Sequence, residues 1–368
     1  LFLIETGIMP HLFESLKLRD ITLGNRIGIP PMCQYSAVDG LANDWHFIHY
    51  GSRAVGGASL LIVEATGVVP EGRISPGDLG IWQDGQIEPL ARVARYVQSQ
   101  GCVAALQLAH AGRKGSAGLG WQAQRSLSEA EGGWPTVAPS ALAFGDGYAA
   151  PRELDLAGIR AVVAAFAAGA RRAREAGFQT VEIHSAHGYL LHQFLSPLAN
   201  RRSDAYGGSF ENRTRLVREV VSAVRAEWPE RLPLLLRLSA TDWVEGGWSV
   251  DESVELCRLL KGLGVDLVDV SSGGLVPTAV IPAGPGFQTD FAARIRREAG
   301  MPTAAVGLIT AAAQADHIIR TGQADLVLLG REILRNPYWP LEAAQALGRA
   351  TSWPNQYLRA APAGSIGR

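Results

Sequence analysis

The sequence predicts a single (β/α)8 barrel of the α/β class, and three observations carry that prediction. Eight short β-branched runs recur along the 368 residues, bounded by glycine, proline or polar residues. Ala-rich or amphipathic stretches of helical length lie between most of them, which is the alternation of a parallel sheet. Chemically unusual residues stand at the C-terminal end of every run, the face on which such a barrel carries its site. A doubly wound sheet fits less well, because it has fewer strands and a glycine-rich fingerprint after the first, where this chain reads Pro30-Pro31-Met32-Cys33.

Residues 1–8 precede Met9, the more natural start, and are read as an extension of unknown origin. Leu12 to Leu23, with Arg19-Asp20 between two apolar triplets, predicts a hairpin that caps the N-terminal end of the barrel. Strands are expected at Arg26–Pro30, Ser59–Glu64, Val103–Gln107, Thr180–His184, Pro233–Leu238, Asp266–Val270, Thr303–Val306 and Asp325–Leu329. Helices are clearest at Leu154–Ala176, Asn212–Trp228, Val250–Leu263, Asp290–Ala299 and Ala311–Gly322. Several end in a glycine suited to the left-handed position after a helix: Gly177, Gly264, Gly300 and Gly322. Gly112 to Pro151 lacks periodicity and predicts a long loop after strand three, read as a substrate lid. The barrel is assigned to 9–348 and a C-terminal tail to 349–368.

Composition narrows the function. Charged residues make up 19% of the chain and the net charge is -1, which argues against disorder and against a nucleic-acid partner. No apolar run reaches the roughly 18 residues that span a bilayer, and the opening residues lack the basic start of a secretory signal. No membrane partner and a cytoplasmic location are therefore expected. Cys33, Cys102 and Cys257, widely spaced and odd in number, make neither a disulfide framework nor a four-cysteine metal site.

The strand ends then supply the chemistry. Strand four runs into His184-Ser185-Ala186-His187-Gly188-Tyr189, two hydrogen-bonding imidazoles and a phenol able to give a proton. Metal binding would need a carboxylate or third ligand that is missing nearby, so no metal is expected; two satisfied core histidines are the other alternative. Arg237 closes an apolar strand, so its charge needs a partner: a structural ion pair, or the edge of a flavin that becomes negative on reduction. Gln107 offers an amide suited to the polar edge of a pyrimidine-like ring. Gly307 after strand seven and Gly330-Arg331 after strand eight match the recurring phosphate site of these barrels.

Five stretches together resemble the Old Yellow Enzyme family of flavin-dependent ene-reductases, within it the thermophilic-like class of bacterial NADPH dehydrogenases. They are Pro31 to Tyr35, Gln107 to Lys114, His184 to Tyr189, Arg202 to Ser209 with Asn212-Arg213, and Gly330-Arg331-Glu332. The resemblance spans about Leu12 to Arg359. It implies an FMN held by Pro30, Pro31, Met32, Cys33, Ala65, Gln107 and Arg237, with its phosphate near Gly307, Gly330 and Arg331, and NADPH or NADH as the hydride donor. It implies that Cys33 lies beside the flavin, that His184 and His187 bind the substrate carbonyl, that Tyr189 protonates the α-carbon, and that Tyr35 lines the pocket. The substrates it implies are small activated alkenes: α,β-unsaturated carbonyl compounds, maleimides or nitroalkenes. Gln356-Tyr357-Leu358-Arg359 is similar to a segment that sends an arginine into a neighbouring subunit, which makes Arg359 a trans-acting candidate and implies a homodimer or homotetramer. Two alternatives stand beside this reading: a related flavin barrel of the dienoyl-CoA reductase or amine dehydrogenase type, and a non-catalytic barrel that binds a phosphate ligand. The scattered cysteines count against the iron–sulfur cluster of the first, and the second leaves His184, His187 and Tyr189 without a role.

Overall fold

In the computed structural model, which describes residues 10–367, all eight runs are strands of one closed parallel barrel. They are strand one (Ile27–Ile29), two (Leu60–Gly67), three (Val103–Ala109), four (Thr180–Ser185), five (Leu234–Ser239), six (Leu267–Ser271), seven (Thr303–Val306) and eight (Leu326–Leu328). Strand eight pairs with strand one through Val327 and Ile27 and closes the sheet. The extension proposed for residues 1–8 lies outside the described residues.

The two-residue period of a strand explains how the barrel sorts its side chains. One set, with Leu61, Val63, Leu106, Val181, Ile183, Leu236 and Val268, points outward and forms the main core with the surrounding helices. The alternating set, with Leu60, Ile62, Val103, Ala105, Leu235, Leu267 and Leu326, fills the N-terminal half of the interior. Truncating one of these buried leucines to alanine would cost about 2–5 kcal/mol. Further along the same inward rows the residues turn polar: Gln107 after Ala105, Arg237 after Leu235, Asp269 after Leu267. The floor of the barrel is thus oily and its upper half is charged.

The hairpin forms as expected, Leu16–Leu18 against Ile21–Leu23, antiparallel around Arg19 at φ 50°. Its Leu18 and Leu23 pack into the oily interior and cap it. The five expected helices occur as Leu156–Glu175, Arg215–Glu227, Val250–Gly262, Thr289–Ala299 and Ala312–Arg320. The second is preceded by a separate short turn, Phe210–Arg213. All four glycines expected behind helices have positive φ. Further helices, Asp44–Val55, Ile87–Ser99 and Trp339–Ala346, complete the outer ring. The segment 112–151 is mostly irregular, yet it includes the turns Gly112–Lys114 and Glu129–Glu131 and a short strand, Val137–Ala138, paired with Arg152–Glu153.

Candidate active site

Four polar side chains from adjacent strands form a layer inside the barrel. Gln107 Nε2 donates to Glu182 Oε1 at 2.8 Å, and Arg237 Nε lies 2.9 Å from Asp269 Oδ2. Strand register sets these neighbours, pairing Gln107 with Glu182, and Arg237 with both His184 and Asp269. Burial, opposed by Arg237, raises the pKa of both carboxyls; Asp269 adds to the rise of Glu182. Arg237 Nη1 also donates to the Pro31 carbonyl at 3.4 Å, tying this layer to the loop after strand one. Arg237 therefore has its structural ion pair and still faces the mouth. The sequence reading missed Glu182 and Asp269; each stands one inward position before the end of an apolar strand, and that alternation was the available signal.

Above this layer the end of strand four forms a compact turn. The His184 ring centroid is 5.2 Å from that of His187 and 5.0 Å from that of Tyr189. The Ala186 amide donates to His184 Nδ1 at 3.3 Å, which leaves the imidazole proton on Nε2. His187, at φ 59°, donates its amide to Ser239 Oγ at 2.9 Å, and its Nε2 is 2.8 Å from Ser271 Oγ. Burial, then the charge of Arg237, lowers the pKa of both rings well below the ordinary value, so both are neutral donors near neutral pH. Burial, then Cys33 and Tyr35, raises that of Tyr189, which keeps its phenolic proton. The turn is braced from behind: the Gly188 amide donates to His192 Nδ1 at 2.9 Å, and His192 Nε2 lies 2.8 Å from Asp242. His192 and Asp242 are supports that sequence reasoning did not find.

Seven of the ten residues expected to hold a cofactor line one cavity of about 300 Å³: Pro30, Pro31, Met32, Arg237, Gly307, Gly330 and Arg331. Arg237 is buried at its inner end and Arg331 is exposed at its outer end, so a long ligand with a ring edge inside and an anion outside would meet a cation at each. Gly307 sits at φ 124°, where a Cβ would strike Gln288 Nε2 at 2.8 Å, so glycine is required. The other three border this region. Ala65 packs with Cys33 and Tyr189 in one small apolar cluster, and Gln107 belongs to the polar layer. A register shift between Val63 and Thr66 re-aims Glu64 and Ala65. Burial, then Asp78 and Glu64, raises the Cys33 pKa well above its ordinary value, so this sulfur is a thiol. Glu64 is fully buried, accepts from the Gln34 amide at 3.1 Å and from the Tyr50 hydroxyl at 2.5 Å, and burial lifts its pKa to about 8.

Tyr35, at φ 51°, meets Trp121 edge-on at 6.0 Å, so the loop after strand three reaches the pocket rim. His110 is a corner support instead: its Nδ1 accepts from the Gly112 amide at 3.1 Å, and burial lowers its pKa to about 4. Arg359 is not brought to this site. It lies exposed in the turn Asn355–Ala360, and Gln356 of that turn lines a cleft with Gly24, Asn25 and Ser59 at the opposite end of the barrel. Among the described residues no three His, Cys, Asp or Glu side chains are grouped to hold a metal ion, and no helix is long and apolar enough to cross a membrane.

Known proteins resemble this chain in sequence and in fold. Residues 11–349 match the model of the NADH:flavin oxidoreductase / NADH oxidase family. The chain is 50% identical over 350 residues to an NADPH dehydrogenase of Geobacillus thermodenitrificans, covering 95% of this chain and 98% of that one. Among solved structures it is similar to morphinone reductase, 30% identical with a TM-score of 0.77, over 98% of this chain and 94% of that one. It also shares the fold of 2-naphthoyl-CoA reductase, with a TM-score of 0.84 at 23% identity, over 92% of this chain; it spans about half, 52%, of that longer protein.

Proposed function

This chain belongs to the NADH:flavin oxidoreductase / NADH oxidase family, the Old Yellow Enzyme-like group, and from that premise we propose that it reduces the C=C bond of small activated alkenes. It is an FMN-dependent oxidoreductase that draws electrons from NADPH. Membership retires the reading of a non-catalytic phosphate carrier. The 50% identity to the Geobacillus NADPH dehydrogenase favours a reductase of that kind over the CoA-ester or amine-oxidising type.

The observation that carries the proposal is the trio at the end of strand four, in which the neutral His187 imidazole and the protonated Tyr189 phenol stand 5.2 and 5.0 Å by ring centroid from the neutral His184 imidazole between them. Our reading gives each a task. His184 donates from Nε2 to the carbonyl or nitro oxygen of the alkene, and His187 turns from Ser271 to join it, so that charge developing on that oxygen is stabilised. Tyr189 gives its proton to the α-carbon. Bound FMN supplies the two-electron transfer between NADPH and the β-carbon. Pro30, Pro31, Met32, Cys33, Ala65, Gln107 and Arg237 would hold its ring system, with Gly307, Gly330 and Arg331 at its phosphate, and Tyr35 would close the pocket over the substrate. Arg359, remote from the site of its own chain, would serve a second copy in a homodimer or homotetramer.

An anaerobic titration tests the reading. NADPH should bleach the flavin absorbance, and 2-cyclohexenone should then restore it with formation of cyclohexanone. If no enone, maleimide or nitroalkene reoxidises the bleached enzyme, alkene reduction is not its activity.

A further inference from the structure

Lys114 ends the short turn after strand three and is half-buried beside the strand-four turn. Its ammonium donates to two carbonyls, His187 at 2.8 Å and Gly274 at 2.9 Å. It also lies 5.1 Å from the centre of the Tyr189 ring and 4.5 Å from that of Phe144, which the loop after strand three contributes. The two carbonyls converge because the backbones of the strand-four and strand-six loops touch directly. A Cβ on Gly188 would lie 2.1 Å from the Gly274 oxygen, and one on Gly274 would lie 2.7 Å from the His187 Cα. Two carbonyl dipoles set side by side repel, and a cation bound to both offsets that repulsion. Burial, then Arg113, lowers the pKa of Lys114 to about 8, which leaves it charged at neutral pH.

We propose that Lys114 is a positioning residue for Tyr189, clamping the His187–Gly188 turn to the strand-six loop and holding a positive charge against the tyrosine ring as the phenol gives up its proton. The proposal rests on the reading of Tyr189 as the proton donor. In that step the Tyr189 O–H bond breaks and a C–H bond forms at the α-carbon, using the electron pair of the enolate left after the β-carbon is reduced. The phenol becomes a phenolate, and it recovers a proton from water before the next turnover. Lys114 keeps its own proton throughout. Its attraction to a neutral ring is weak, and it grows as negative charge spreads over the phenolate in a site with little water. An interaction that strengthens between ground state and transition state accelerates the step rather than tightening binding.

The test compares Lys114→Met and Lys114→Arg as FMN-loaded enzymes, alone and combined with Tyr189→Phe, with Lys114→Gln as the uncharged variant should the methionine form not fold. Stopped-flow absorbance would follow flavin reduction by NADPH and reoxidation by 2-cyclohexenone, the latter in H2O and in D2O. The uncharged variant should slow reoxidation about tenfold more than flavin reduction and raise the solvent isotope effect on reoxidation, while the arginine recovers most of the rate. In the Tyr189→Phe background the uncharged variant should add less than about twofold, because the two changes act on one step. Equal slowing of both half-reactions, an unchanged solvent isotope effect, or full slowing in the Tyr189→Phe background would overturn the proposal. If Tyr189→Phe alone reoxidises at the wild-type rate, the donor reading falls and this proposal falls with it, a pattern distinct from the other three.

Discussion

The guanidinium of Arg237 lies 2.9 Å from the carboxylate of Asp269, inside the barrel and one strand away from His184. Half of this pair faces the loop that carries Pro31, and the other half is enclosed, with Asp269 fully buried. A fixed negative charge beside Arg237 weakens the pull of that cation on any charge developing in the cavity. Asp269→Asn should therefore raise the midpoint potential of the bound FMN by about 30 mV, the equivalent of roughly 1.4 kcal/mol for a two-electron couple. A spectroelectrochemical titration reads it, and an unchanged or lower potential would contradict this role for the pair.

Glu64 gives a pH signature. Its folded pKa, raised to about 8 by burial, stands above the ordinary 4.5, so the folded state binds the extra proton between those values. The stability this contributes is complete below about pH 4.5 and is lost as pH rises through 8. Relative to Glu64→Gln, the wild type should lose on the order of 3 kcal/mol of unfolding free energy between pH 5 and pH 8.5. Urea denaturation at the two pH values measures it, and a difference that does not move with pH would mean that Glu64 is ionised throughout.

The barrel was legible because its signal is repeated: eight strands, most of them followed by a helix, read the same way, and an error at one would not hide the pattern. The cavity lined by Pro30, Arg237, Gly307, Gly330 and Arg331 was legible because a proline, a glycine or a charge at the end of an apolar strand interrupts the strand's own pattern. Glu182, Asp269, His192 and Asp242 were not. Their roles depend on which neighbour a strand or helix presents, such as Arg237 beside Asp269 or Gly188 against His192, and one chain read in order holds no record of those pairings. Lys114 stood inside a recognised motif, yet only the contact between Gly188 and Gly274 explains where its charge is held.

His184 offers a binding test. With its proton on Nε2, it is set to donate to an anionic oxygen, and a phenol bound over the flavin presents one. His184→Ala should weaken the binding of 4-hydroxybenzaldehyde about 10–100-fold, the worth of a hydrogen bond to a charged group. The long-wavelength charge-transfer absorbance reports the affinity, and an unaltered Kd would remove His184 from the oxygen-binding role.

Arg359 separates stability from assembly. It is exposed within its own chain, so Arg359→Ala should change unfolding free energy by no more than about 0.5 kcal/mol. If it serves a neighbouring subunit, the same change should raise the KM for an enone severalfold or shift the oligomer distribution by analytical ultracentrifugation. Unaltered kinetics together with an unaltered oligomer would dismiss the trans-acting role.

The central claim is that the end of strand four both activates the alkene and delivers its proton, and the two half-reactions of Tyr189→Phe test it most directly. Measured by stopped flow, NADPH should reduce the flavin at close to the wild-type rate, while reoxidation by 2-cyclohexenone slows by about 10²–10⁴-fold, the usual worth of a positioned general acid. Equal slowing of both half-reactions, or wild-type reoxidation, would contradict it.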